Sequence, residues 1–200
     1  YLGFPKRLMP FRKRHPEHPE PGISDAVMVA SRDGLSFPRR FREAFVRPGL
    51  DQRNWTERNI MFAPGMVRTS PTEYSMYWSE HFRHHDHYVR RGTIRVDGFA
   101  SLRAGCPGGS MTSVPIRVEG GTNVLNMSTS AAGSVVVELL DESERPIAGL
   151  SGSDCDELYG DDIAREVTWN GSPDVSGVRG SPIRVRMTIS DGDVFSVAAV

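Results

Sequence analysis

Apolar residues along this chain fall in short runs, either alternating with polar positions or unbroken for a few residues, and Gly, Pro, Asn and Asp separate the runs. No stretch keeps the i, i+3, i+4, i+7 spacing of an amphipathic helix, so the pattern predicts an all-β chain. Residues 2–8 form a candidate first strand, followed by a Pro/His/Glu loop at 15–21. Residues 23–31 hold the run Ala26-Val27-Met28-Val29-Ala30 and end at Arg32-Asp33-Gly34, a hairpin turn signal. Residues 37–45 are the expected return segment, and 47–51 a Pro/Gly loop. Residues 59–67 read as a strand interrupted by Pro64-Gly65. Residues 73–82 alternate cleanly, with Tyr74, Met76 and Trp78 on one face and Ser75, Tyr77 and Ser79 on the other. Residues 88–96 are the antiparallel partner, closing on the turn Asp97-Gly98.

The character then changes. A Gly/Pro linker, Gly105-Cys106-Pro107-Gly108-Gly109, leads into expected strands at 112–118, 123–128 and 133–140. A polar turn at 141–145 and an acidic loop at 151–162 follow, and strands at 165–169, 183–189 and 194–199 complete the set. Seven or eight short strands at turn-punctuated spacing suggest a β-sandwich. Two domains are expected, 1–102 and 103–200.

Charge supports that division. Residues 1–100 carry 17 Lys+Arg against 11 Asp+Glu, a balance of +6, while residues 101–200 carry 7 against 14, a balance of -7. All six histidines lie in the first hundred residues. The arginines there are interleaved with acids and strand residues, without a dense basic motif or a recognition helix, so nucleic acid is not an expected partner. No apolar run is long enough for a membrane-spanning helix. Two cysteines, Cys106 and Cys155, are too few for a disulfide scaffold and lack metal-ligand spacing; one disulfide or two free thiols both fit. The chain opens at Tyr1 without an initiator methionine, and a piece of a longer protein is expected, so localisation stays open.

Ser31-Arg32-Asp33-Gly34-Leu35-Ser36-Phe37 resembles the Ser-x-Asp-Gly-x-x-aromatic hairpin of β-propeller glycosidases and sialidases. There the Asp side chain satisfies turn amides, Gly takes a positive φ and the aromatic residue packs under the hairpin. In the second half, the run from Leu125 through Gly133 to Glu138 is followed in order by Pro146-Ile147-Ala148-Gly149-Leu150, Asp154-Cys155, Gly160-Asp161, Val167-Thr168-Trp169 and Asp191-Gly192-Asp193-Val194-Phe195. That order resembles the C-terminal β-sandwich of bacterial proteins related to family 32 glycoside hydrolases, in which a five-bladed propeller precedes the sandwich. The resemblance implies that residues 1–102 are the last blades of such a propeller and that the parent acts on, or binds, poly- or oligosaccharide; its localisation stays open, with a periplasmic or extracellular parent one option. It implies two-carboxylate hydrolysis without an organic cofactor. In that family the nucleophile Asp, the transition-state-stabilising Asp and the acid/base Glu lie in the first three blades. Nothing here matches the Arg-Asp-Pro or Glu-Cys motifs that carry the last two, and Arg32-Asp33 runs into Gly34 rather than Pro. The catalytic pair is therefore expected upstream of Tyr1, with these 200 residues inactive alone. A non-catalytic carbohydrate-binding or structural protein on the same scaffold is the rival class. A truncated propeller also exposes a blade edge, and self-association is expected from it.

Within this chain Glu80, at the end of an aromatic-rich strand, is the candidate catalytic carboxylate. It could line a propeller funnel or act as acid/base, or it could pair with Arg90 or Arg91 across the hairpin. Lining or pairing is favoured, since a glycosidase needs a second, facing carboxylate. Trp55, Arg58, Asn59 and His81 are the candidate substrate-binding residues. Trp55 sits in a loop and offers an apolar face to a sugar ring; Arg58 and Asn59 offer hydrogen bonds to hydroxyls. His81, His84, His85, Asp86 and His87 look like metal ligands by count but lie on a loop, as do His15, Glu17 and His18, so no metal is assigned. The acidic loop at 151–162 lacks ordered calcium-loop spacing.

Overall fold

The computed structural model describes residues 1–200 and is all-β, without an α-helix. By its contacts the chain forms two compact units, Tyr1–Ile94 and Arg95–Val200.

In the first unit β1 (Leu2–Gly3) and β2 (Lys6–Met9) run antiparallel to β3 (Ile23–Ala26) and β4 (Val29–Ala30). The pairs Leu2↔Ala30, Lys6↔Ala26 and Met9↔Ile23 share one register, so these four pieces are one interrupted hairpin. Pro5, which has no N–H to give, marks the interruption, yet its carbonyl still accepts from Val27 N at 3.1 Å. Ala26 exchanges both backbone hydrogen bonds with the 45–46 segment, adding a third rung on the far side.

That rung is all that forms of the return strand expected at 37–45. Pro38 removes a donor, and Arg39, Arg40, Arg42 and Glu43 leave no apolar face to bury, so the segment crosses the surface without pairing along its length. The turn before it behaves as its residues dictate. Asp33 Oδ1 accepts from Leu35 N at 2.8 Å, Ser36 N at 2.9 Å and Ser31 Oγ at 2.7 Å, and Gly34 takes φ 76°. These bonds, the Ser36 amide first, hold the Asp33 carboxyl down at about 2. Phe37, expected beneath a hairpin, stays exposed because the chain leaves at Pro38 instead of returning.

The rest of the first unit is a second meander. β5 (Met61–Phe62) and β6 (Val67–Arg68) lie on one edge of β7 (Glu73–Glu80), and β8 (Tyr88–Arg95) lies on the other. Met61 opposes Ser79 and Val67 opposes Ser75; the register slips by two residues between them, where Pro64-Gly65 bulges out. Phe62 packs on Trp78 with centroids 5.2 Å apart. Gly92 lies under Trp78, where an added Cβ would come within 2.4 Å of the indole.

The second unit is built on one long antiparallel pair, β12 (Asn123–Leu140) and β14 (Pro182–Ala199), joined by β9 (Leu102–Ala104), β10 (Gly109–Thr112), β11 (Ile116–Arg117) and β13 (Asp161–Glu166). β9, β10 and β11 all pair with β14, and β13 pairs with the first part of β12. The strands expected separately at 123–128 and 133–140 are one, as are those at 183–189 and 194–199. The intervening Thr-Ser-Ala-Ala-Gly and Asp-Gly segments do not reverse the chain. They bend the pair across the register shift between Thr129 and Ser134, where Gly133 passes so close to Asp191 that a Cβ would stand 2.3 Å from its carbonyl oxygen. The strand expected at 165–169 lies earlier, at Asp161–Glu166, because Trp169 turns in to bridge Cys155 and Ser172.

Period-two alternation supplies the core of this unit. Leu125 and Met127, then Val135, Val137 and Leu139, face Ile183, Val185, Met187, Ile189 and Val194 in one buried cluster. Trp169 closes it, donating from Nε1 to Val137 O at 3.1 Å. Arg95 lies over the Phe195 ring at 4.4 Å and pairs with Asp161 at 2.6 Å, and Asn126 donates to Val96 O, which ties the 95–98 turn to this unit. Asp97 in that turn takes φ 57°. Cys106 and Cys155 are free thiols.

Candidate functional site

β7 delivers Glu80 to the end of the second meander, and the chain then turns through His81 and Arg83, both at positive φ, before Tyr88 opens β8. Glu80 is buried. Its Oε1 accepts from Trp78 Nε1 at 2.9 Å and from Arg90 Nε, and its Oε2 accepts from Tyr88 OH at 2.6 Å and Asn54 Nδ2 at 3.0 Å. Burial alone would push this carboxyl up, but the four donors, Arg90 foremost, hold it down at about 2. Tyr88 moves the opposite way, raised by burial and by its bond to the carboxylate. Near neutral pH Glu80 is therefore an ionised acceptor whose lone pairs are committed. It has no proton to give and no oxygen turned to a nucleophilic task. Of the two cross-strand partners the sequence offered, Arg90 is the one that pairs; Arg91 donates to Ser75 Oγ instead.

His81 is also buried. Its Nδ1 lies 3.0 Å from Asp86 Oδ2 and its Nε2 lies 2.8 Å from Asp51 Oδ2. Arg53 bridges the same two carboxylates at 2.9 and 2.5 Å, and its hydrogen bonds hold Asp51 well below the usual carboxylate range. Asp51 also caps the 3₁₀ turn Gln52–Asn54, which aims Asn54 inward. Asn54 thus donates to Glu80 while its Oδ1 accepts from His81 N at 3.1 Å. Asn59 is fully buried, donating to Arg53 O and Thr56 Oγ1 and accepting from Phe82 N at 2.8 Å. Three of the sequence candidates, Glu80, His81 and Asn59, therefore meet in one polar network. They knit the 51–59 loop to the 81–88 turn, and their hydrogen-bonding atoms face protein rather than solvent. Arg58 stands apart, exposed, with its guanidinium 5.4 Å from the Phe82 ring.

Trp55 faces elsewhere. Its Nε1 donates to Gly49 O at 2.7 Å, which fixes the half-buried indole along the wall of an open groove of about 720 Å³. Arg7, Asp25, Glu43, Arg47 and Leu50 line the groove with it. Asp25 is held by Arg7 through two bonds, at 2.9 and 2.5 Å, across the β2–β3 register, and Glu43 accepts from Arg42 N at 3.1 Å. An apolar ring beside fixed charged donors and acceptors is the chemistry that orients a sugar: stacking for one face, hydrogen bonds for the hydroxyls. The indole was legible in the sequence, but its charged neighbours were not. The Arg7–Asp25 pair follows from the hairpin register, which the interruption at Phe4-Pro5 obscures.

In the acidic loop the aspartates have local partners. Asp154 accepts from Ser151, Asp156 from Thr168 and the Gly171 amide, and Asp161 from Arg95. No protein-family model, curated protein or solved structure matches the chain.

Proposed function

We propose that this chain is part of a glycoside hydrolase-like protein, the terminal blades of a five-bladed propeller followed by a β-sandwich, and that its own contribution is to bind carbohydrate in the Trp55 groove. The hydrolytic carboxylate pair, on this reading, lies outside these 200 residues. An interrupted two-stranded hairpin with one bridge to a third segment, followed by a three-stranded antiparallel meander, fits incomplete consecutive blades. The observation that carries the binding assignment is the groove itself, a pinned indole beside the Arg7–Asp25 pair. Glu80 serves this reading as a structural hub that anchors the 51–59 loop from which Trp55 projects. A purely carbohydrate-binding parent is the second reading, favoured by the committed state of Glu80 and of Asp25.

The test is a glycan array on the 200-residue chain, followed by titration of the best ligand against the wild type and Trp55→Ala. Loss of the stacking face is expected to weaken binding about tenfold, the equivalent of about 1.4 kcal/mol, with the thermal midpoint nearly unchanged because Trp55 is half exposed. Binding that survives Trp55→Ala intact, or an array without a hit, would remove the assignment. Turnover of an oligosaccharide by the 200 residues would relocate the catalytic pair into this chain.

A further inference from the structure

Three imidazoles from two separate loops converge in the first unit. His15 and His18 come from the turn between β2 and β3, where His18 N donates to His15 O at 3.2 Å; His84 comes from the turn after β7, where its own N donates to His81 O at 2.9 Å. The ring centroids of His15 and His84 are 5.3 Å apart, those of His18 and His84 5.7 Å, and those of His15 and His18 6.5 Å. One ring nitrogen on each, His15 Nδ1, His18 Nε2 and His84 Nε2, is buried without a hydrogen-bond partner. So is Glu57 Oε2, whose sister oxygen lies 3.8 Å from His18 Nε2 and is paired with Arg83 at 3.1 Å. A single unpaired buried nitrogen costs about 1–3 kcal/mol, and native proteins hold few of them. Three in one cluster, on the residue type that most often binds transition metals, point to a ligand that needs nitrogen lone pairs.

We propose that His15, His18 and His84 form a binding site for zinc or a like divalent transition-metal ion, with the Glu57 carboxylate balancing its charge. The spacing fits. Zinc–nitrogen bonds of about 2.0–2.1 Å set each imidazole centroid about 3.2 Å from the ion, and tetrahedral angles then put centroids about 5 Å from one another. Two of the three separations are within several tenths of an ångström of that value. As the side chains stand no three donors share one coordination point, and His15 and His18 are the widest pair, at 6.5 Å. His15 sits on a half-exposed loop, so rotation of its ring by a side-chain torsion brings its nitrogen in without moving a strand. His81 belongs to a different set, since both of its ring nitrogens already face Asp51 and Asp86. His85 and His87 are exposed and serve as internal controls.

The site is tested by titrating the 200-residue chain with zinc against a chromophoric chelator, and with cobalt(II) to read ligand geometry from its visible absorption. One equivalent is expected to bind at micromolar concentration or tighter, with the intense absorption of four-coordinate cobalt. His18→Ala and His84→Ala are each expected to weaken binding at least 100-fold, because loss of an outer partner alone costs 10–100-fold. The double variant His85→Ala/His87→Ala should bind as the wild type does. Circular dichroism checks that each variant folds, and His15→Ala, on the more exposed loop, replaces any that does not. Absence of stoichiometric zinc in the wild type overturns the proposal. So does binding that tracks His85 and His87 instead of His15, His18 and His84.

Discussion

Glu80→Ala is expected to lower the stability of the first unit by about 3 kcal/mol. Arg90 is about half exposed and can turn to water when its partner goes, so little of the loss is an uncompensated charge. The cost falls on Asn54, Trp78 and Tyr88, three donors that lose a buried acceptor at about 1 kcal/mol each. Glu80→Gln keeps one carbonyl oxygen but turns an amide toward donors, and should fall between. Urea unfolding read by tryptophan fluorescence reports the effect directly, since Trp78 is itself a partner and Trp55 lies on the linked loop. The two units need not unfold together, so the transition is fitted as two steps.

The same carboxylate predicts a pH dependence with a definite sign. Its folded value, about 2, lies below its ordinary value of 4.5. Above pH 4.5 it is ionised in both states and its stabilisation is fully present. As pH falls toward 2 the unfolded chain takes up the proton first, and that stabilisation drains away. In Glu80→Gln this part of the acid limb should be missing. Unfolding curves and an acid limb that the substitutions leave unchanged would end the structural-hub assignment.

Trp169→Ala is expected to be costlier, about 3–5 kcal/mol, and confined to the second unit. Trp169 is 2 % exposed, fills the end of the core beside Val137 and Leu158, and gives Val137 O its indole proton. Truncation opens a large cavity and strips an acceptor together. Trp169→Phe separates the two, keeping most of the volume while abandoning the hydrogen bond, and should cost about 1–3 kcal/mol. A second-unit transition that does not move in Trp169→Ala would mean that this end of the core can collapse around the loss.

How much of this could be read from the chain depended on whether local chemistry decided the outcome. The alternation of 73–80 gave β7, and the Asp33-Gly34 turn formed its hydrogen bonds as the residue types require. Glu80 to Arg90 was readable because a hairpin brings strand ends together. Asn54, 26 residues away from Glu80, was not, because only tertiary packing delivers it. The small residues at 129–133 carry two meanings, reversal and bend, and only the partner strand chooses between them. The return strand failed for the converse reason: Phe37, Phe41 and Phe45 supply apolar residues, but the charges between them leave no continuous face. The meeting of His15, His18 and His84 needs two loops from different meanders, a distance no pattern within either loop encodes.

The pairing order of the second unit has a consequence for how it is made. β14 is the partner of β9, β10, β11 and β12, and its pairing with β10 joins positions 80 residues apart, Gly109 and Ile189. Nearly every rung there closes a long loop before any contact repays the entropy. The hairpin of residues 2–9 with 23–30 can close as soon as it is synthesised. The core around Leu125 and Val137 must wait for the last strand, so a nascent chain displays its apolar faces until β14 arrives.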